Sequence, residues 1–149
     1  MKASSALFML LIGSSQLAAC EKHPLLGQWA FSELEQAWEV QNEGKLIVSN
    51  AYDDVACTEG GQSSSVQACH QQRRWANAGS IALNDADHDA YQFVVWKVTA
   101  DTLNGRLDTC RCRDKPEIYY GVIEDSDLVL FGEDKKTLVD RGKFKSAPD

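Results

Sequence analysis

Apolar positions along the chain follow two regimes. At the start, "ALFMLLIG" (residues 6–13) is an unbroken apolar run behind Lys2. Its length suits the core of a signal peptide and falls short of the roughly 20 residues that span a bilayer as a helix. Beyond residue 24 the apolar residues come in short clusters between turn residues, and long helical periodicity is almost absent. Leu26, Trp29 and Phe31 cluster where Pro24 and Gly27 favour a strand entry. "SELEQAWEVQ" (32–41) fits either a short helix or a strand. "KLIVSNAY" (45–52) predicts a strand ending at Tyr52, and the Gly/Ser-rich "TEGGQSSSVQ" (58–67) predicts a mobile loop.

The second half reads more clearly. "SIAL" (80–83) predicts a strand core that ends in an acidic turn, "NDADHD" (84–89). "AYQFVVWKVTA" (90–100) predicts one strand with Tyr91, Phe93 and Val95 on one face and Gln92, Val94 and Trp96 on the other. That mixed second face implies partial burial on both sides. "ADTLNG" (100–105) supplies a turn. After it, Leu103, Gly105 and Leu107 share a face, with Arg106, Asp108, Cys110 and Cys112 opposite, unless a bulge intervenes. "EIYYGVIEDSDLVLFGED" (117–134) predicts a hairpin around "EDSD", and "KKTLVDRGKFK" (135–145) a last strand. About eight short strands with frequent turns make the fold all-β, an antiparallel barrel or sandwich.

Length and charge refine this picture. The chain has 149 residues and a formal net charge of −7. Beyond the apolar leader it is long enough for one domain with a real core. Its acidity argues against nucleic acid or anionic lipid as a binding partner.

The leader ends in Leu17-Ala18-Ala19-Cys20, which resembles the lipobox of bacterial lipoproteins. The resemblance implies that Cys20 is diacylated through its sulfur, becomes the new N-terminus and is acylated again. The lipid bilayer would then be a partner, since two buried acyl chains already anchor stably. Residue 21 is Glu rather than the Asp typical of lipoproteins kept in the inner membrane, which implies the outer membrane, facing the periplasm. The resulting division is a signal peptide at 1–19, a lipidated tether at 20–24, a β-domain at 25–145 and a loose tail at 146–149.

Four further cysteines, Cys57, Cys69, Cys110 and Cys112, read as disulfides in an exported domain. On a strand, Cys110 and Cys112 lie roughly 6.5 Å apart, at the long edge of disulfide geometry. Two bridges from Cys57 and Cys69 to this pair are therefore expected. The competing arrangement closes a loop with Cys57–Cys69 and leaves Cys110 and Cys112 strained or free.

"LLGQW" (25–29) and "RWANAGSIALND…YQFVVWKVTADTLNGRL" (74–107) together resemble small bacterial lipocalin-like lipoproteins. The resemblance covers about a third of the chain. It implies a barrel whose closed end is plugged by Trp29 of the Gly27-x-Trp29 motif, with Arg141 from a late strand packed over the indole. Other lipocalin motifs are not visible, so a ligand-holding calyx is not implied. A small eight-stranded barrel can be packed solid.

Candidate chemistry is sparse. Cys69-His70 with Cys110-x-Cys112 would suit Cu(I) or Zn(II) only if the thiols were reduced. "DADHD" (85–89) alternates Asp like the start of a calcium loop but lacks the later Gly and Glu such a loop needs. His23 and His88 have no nucleophile at motif spacing, and "GGQSSS" (60–65) lacks a nucleophile elbow. "RRW" (73–75) and the tryptophans remain. Trp29 and Trp96 read as core, while Trp38 and Trp75 fit core and surface recognition equally. The expected protein is not an enzyme and needs no cofactor or bound metal. It is a lipid-anchored periplasmic binding module for a small apolar ligand or an envelope protein. The alternative is a copper- or zinc-binding envelope sensor using the Cys-x-Cys pair.

Overall fold

A computed structural model describes residues 23–61 and 63–146. The segment read as a signal peptide, residues 1–19, and the expected acylation site Cys20 lie outside the described residues.

Eight antiparallel strands form one curled sheet. They are β1 Gly27–Phe31, β2 Gln36–Val40, β3 Leu46–Ser49, β4 Arg74–Leu83, β5 Ala86–Val95, β8 Glu117–Glu124, β9 Asp127–Phe131 and β10 Leu138–Ser146. Their order in the sheet is β3-β2-β1-β10-β9-β8-β5-β4. The sheet curls into a half-barrel, and its two edge strands come together at a single antiparallel bridge, Lys45 to Arg74. The ambiguous 32–41 segment resolves into a turn followed by β2. The last strand runs through Ser146, one residue into the expected tail.

The alternation seen in the sequence decides which faces are buried. Tyr91, Phe93 and Val95 of β5 point into the main core with Leu128 and Leu130 of β9, while Val129 and Phe131 join Ile81, Ala90 and Val122 in a second apolar cluster. These central strands are therefore apolar on both faces. Two of the sheet's hairpins close with two-residue turns, at Asn84-Asp85 and Asp125-Ser126, in which both residues have positive φ. Asn and Asp tolerate that left-handed backbone, which matches the twist of the flanking strands. The acidic 84–89 segment is thus only two residues of turn. Asp87, His88 and Asp89 belong to β5, opposite Ala82, Ile81 and Ser80.

By strand direction, one end of the barrel holds the chain entry at Gly27, the turns at 84–85 and 125–126, and the end of β10; we call it the lower end. At the upper end the chain makes two excursions. Residues 50–73 form helices α1 Tyr52–Glu59 and α2 Ser63–His70, and residues 96–116 form a two-stranded sheet of β6 Val98–Leu103 and β7 Arg106–Cys112. Together they make a cap with its own small core of Cys57, Val66, Cys69, Val98 and Cys110.

Several expectations are corrected here. The predicted mobile loop is mostly helix: α1 ends at Glu59, capped by Gly60, whose N–H bonds the Ala56 carbonyl, and α2 starts at Ser63. Helices of eight residues are marginal alone; burial of Cys57, Val66 and Cys69 against β6–β7 holds these two. Tyr52 opens α1 rather than closing β3. The long 90–100 strand breaks at Trp96-Lys97, where the chain leaves the main sheet for the cap. A register shift opposite Asp101/Thr102 turns Leu107 into the cap core beside the cysteines, so the expected face division of β7 fails there. Within the expected tether His23 is packed while Pro24 is exposed: the His23 ring lies 5.3 Å from those of Trp75 and Tyr91, and Leu25, the next residue, is fully buried.

Candidate functional site

Whether the barrel holds a ligand depends on its interior, which aromatic side chains fill. Trp38 is 1% exposed and packs against Phe31, Phe93 and Tyr119, with ring centroids 4.7, 5.2 and 5.6 Å away. Trp29, Leu25, Val40, Leu128 and Leu130 complete this core. Burial raises the Tyr119 pKa, as does the neighbouring Glu117 carboxylate that accepts its O–H.

The plug residues are only partly as expected. Trp29 is buried and donates its indole N–H to the Leu25 carbonyl at 2.9 Å. Gly27 has φ +138°, and the Ser146 carbonyl oxygen lies 2.6 Å from where a Cβ would sit, so a side chain is excluded. Arg141 does not cover the indole. It is one residue out of step with the inward row Asp140, Gly142 and Phe144. Its guanidinium bonds Asp127 at 2.9 Å and also Glu124. Phe144 packs edge-on against Trp29 instead, with centroids 5.1 Å apart.

The cysteines bridge the two excursions. Cys57 of α1 pairs with Cys110, and Cys69 of α2 pairs with Cys112, at Cα separations of 6.0 and 5.5 Å. Both bridges run from Cys57 and Cys69 to the Cys110/Cys112 pair, as expected, and the structure gives the partner each one takes, joining each helix to the same strand. Sulfurs bonded to one another offer no thiolate to Cu(I) or Zn(II). Among the described residues, no cluster of three or more His, Cys, Asp or Glu could hold a metal.

A buried ionic cluster fastens the cap to the barrel. Arg73 donates from Nη2 to Asp54 Oδ2 at 2.9 Å, from Nε to the Trp96 carbonyl at 2.8 Å and from Nη1 to the Val48 carbonyl at 3.4 Å. One side chain thereby joins α1, the β5–β6 junction and the free edge of β3. His70 Nε2 lies 2.9 Å from the same Asp54 oxygen. Of the "RRW" triplet, then, Arg73 is structural. Trp75 is half-buried, with its N–H donated to the Gln41 carbonyl at 2.7 Å. Only Arg74 stands in solvent.

Beside this cluster an open cleft of about 250 Å³ separates cap from barrel, lined among others by Gln36, Tyr52, Asp53, Asp54, Lys97 and Arg113. Tyr52 is 83% exposed at its rim. Lys97 and Arg113 both face Glu117, at 3.2 and 3.9 Å. Fixed charges of both signs beside an exposed aromatic ring can engage a polar partner surface. They do not make an apolar enclosure. Sequence reasoning missed this cleft, because Leu34, Tyr52, Lys97 and Arg113 come from four separate connections. Comparison with protein-family models, curated proteins and solved structures found no match to this chain.

Proposed function

We propose that this chain is a lipid-anchored envelope protein, held through Cys20 at the periplasmic face of the outer membrane, that works by recognising a protein partner on its surface. One observation carries the choice between partner and small ligand: the barrel interior is packed with Trp29, Phe31, Trp38, Phe93 and Tyr119. A pocket for a drug-sized or lipid-like molecule needs roughly 300–1,000 Å³ of largely apolar space. Two other clefts, of about 310 and 330 Å³, are open to solvent and lined largely by polar side chains, and the cleft between cap and barrel is smaller, open and charged. It is the surface best suited to a partner, with Tyr52 as an aromatic contact. The two disulfides favour this reading over a thiolate metal sensor.

The test is made on protein purified from membranes. A photoreactive residue in place of Tyr52 should give one discrete protein adduct in cells. The same residue in place of Ser80, an exposed position of β4 toward its lower end, should not. Native mass spectrometry should find no small molecule retained at one-to-one stoichiometry. A stoichiometric bound lipid, with no protein adduct, would overturn the reading.

A further inference from the structure

We infer that the lower end of the barrel, at Lys143-Phe144-Lys145, rests on the headgroups of the bilayer, with the cap turned away from it. This rests on the reading of Cys20 as the acylated residue. The leg that enters the barrel is tied down by ring contacts and hydrogen bonds at His23 and Leu25. The His23 ring lies against Trp75 and Tyr91, and its Nδ1 accepts the Leu25 N–H at 3.1 Å. The Leu26 N–H bonds the His23 carbonyl at 3.1 Å. Buried Leu25 receives the Trp29 indole at its carbonyl. Only Glu21 and Lys22 separate His23 from Cys20, and three residue steps reach at most about 10 Å. An anchor at Cys20 therefore keeps His23 within that distance of the membrane, and turns the end through which the chain enters the barrel toward it. The cap lies at the other end of strands such as β10, whose nine residues extend up to roughly 30 Å.

The lower end carries a surface suited to that contact. Phe144 is 44% exposed at the mouth of the barrel, beside the chain entry at Gly27. Lys143 and Lys145 flank it on the same strand, and Lys143 is 64% exposed although bonded to Asp127 at 2.7 Å. An aromatic ring between two lysines fits an interface of acyl chains and anionic headgroups. The whole chain is acidic, and Glu43, Asp85 and Asp125 lie in other turns of this end. The protein would not adhere to such lipid by net charge. The acyl leash supplies the approach, and the local lysines choose which side of the mouth touches.

The native lysines report the orientation. Acylated protein is placed in vesicles of zwitterionic lipid with roughly 30% anionic lipid, and its lysines are labelled with an amine-reactive reagent read by peptide mass. The reference is the same chain carrying Cys20→Ser in the same suspension. Labelling of Lys143 and Lys145 should slow at least about fivefold, while Lys115 and Lys136, on upper-end loops, stay unchanged. Equal slowing of both sets, or unchanged Lys143 and Lys145 on protein whose intact mass carries acyl groups, overturns the orientation and leaves the anchor standing. An intact mass without acyl groups overturns the anchor, and the orientation falls with it.

Discussion

The Arg73 guanidinium and the Asp54 carboxylate meet at 2.9 Å in the seam between cap and barrel, with only 4% and 7% of the two residues exposed. Removing one partner leaves the other charge buried without compensation, which costs about 3–5 kcal/mol. Arg73→Ala should lose that much by urea denaturation. The double variant Arg73→Met with Asp54→Leu should lose far less, because no lone charge remains. If the single and double variants prove equally unstable, packing rather than charge holds the seam.

The same pair sets a pH dependence. Burial alone would raise the Asp54 pKa. The hydrogen bond from His70 and the charge of Arg73 outweigh burial and hold the carboxyl below its ordinary value. A depressed folded-state pKa contributes stability that is complete above the unfolded value, about 3.9. That stability is lost as the pH falls through the folded value. Below pH ~4 the native chain should therefore lose stability more steeply than Asp54→Asn, whose side chain cannot titrate. Parallel acid limbs for the two proteins would remove Asp54 from the account.

Reduction should release the cap before the barrel. The disulfides close separations of 53 and 43 residues, each worth about 4 kcal/mol in the chain-entropy account. The cap shares no strand pairing with the main sheet, and half-cystines make up most of its buried core. With a dithiol reductant, hydrogen exchange should accelerate across 52–70 and 98–112 while β1, β2 and β9 stay protected. Uniform acceleration would mean that cap and barrel unfold as one unit.

What the sequence displays is set by how local the cause is. The β8–β9 hairpin was legible because its period-2 apolar pattern and its Asp125-Ser126 turn are both local. The inward row of β5 was legible for the same reason. That Cys57 and Cys69 reach across to Cys110 and Cys112 could be inferred from strand geometry, while which cysteine takes which could not, because the two are close neighbours on one strand. The helices were not legible, since tertiary contacts, not a long apolar stripe, stabilise Tyr52–Glu59 and Ser63–His70. The seam was hidden as well. Asp54 and Arg73 are 19 positions apart on elements whose meeting depends on the cap. The burial of an arginine beside an exposed one could not be read from "RRW".

The tryptophan plug tests the other correction. Arg141 bonds acidic groups with its side chain 40% exposed, and exposed ion pairs contribute about 0–1 kcal/mol. Arg141→Ala should change the denaturation midpoint little. Trp29→Ala should cost about 3–5 kcal/mol through lost burial and the cavity left behind. If Arg141→Ala proves as damaging as Trp29→Ala, the arginine takes part in the plug after all.

A filled interior also predicts what happens when it is emptied. Trp38 packs among three rings and donates its N–H to Gln36 Oε1 at 3.0 Å. Trp38→Ala should therefore destabilise by about 3–5 kcal/mol. The space it leaves is lined by Phe31, Phe93 and Tyr119, and apolar cavities of this kind bind small apolar molecules. Added indole should bind the folded variant and raise its melting temperature with concentration, as linkage requires. It should leave the native chain unmoved, because the site is already occupied by Trp38. A native chain stabilised by indole to the same degree would mean that it already has an enclosed apolar pocket. The small-ligand reading would then displace surface recognition.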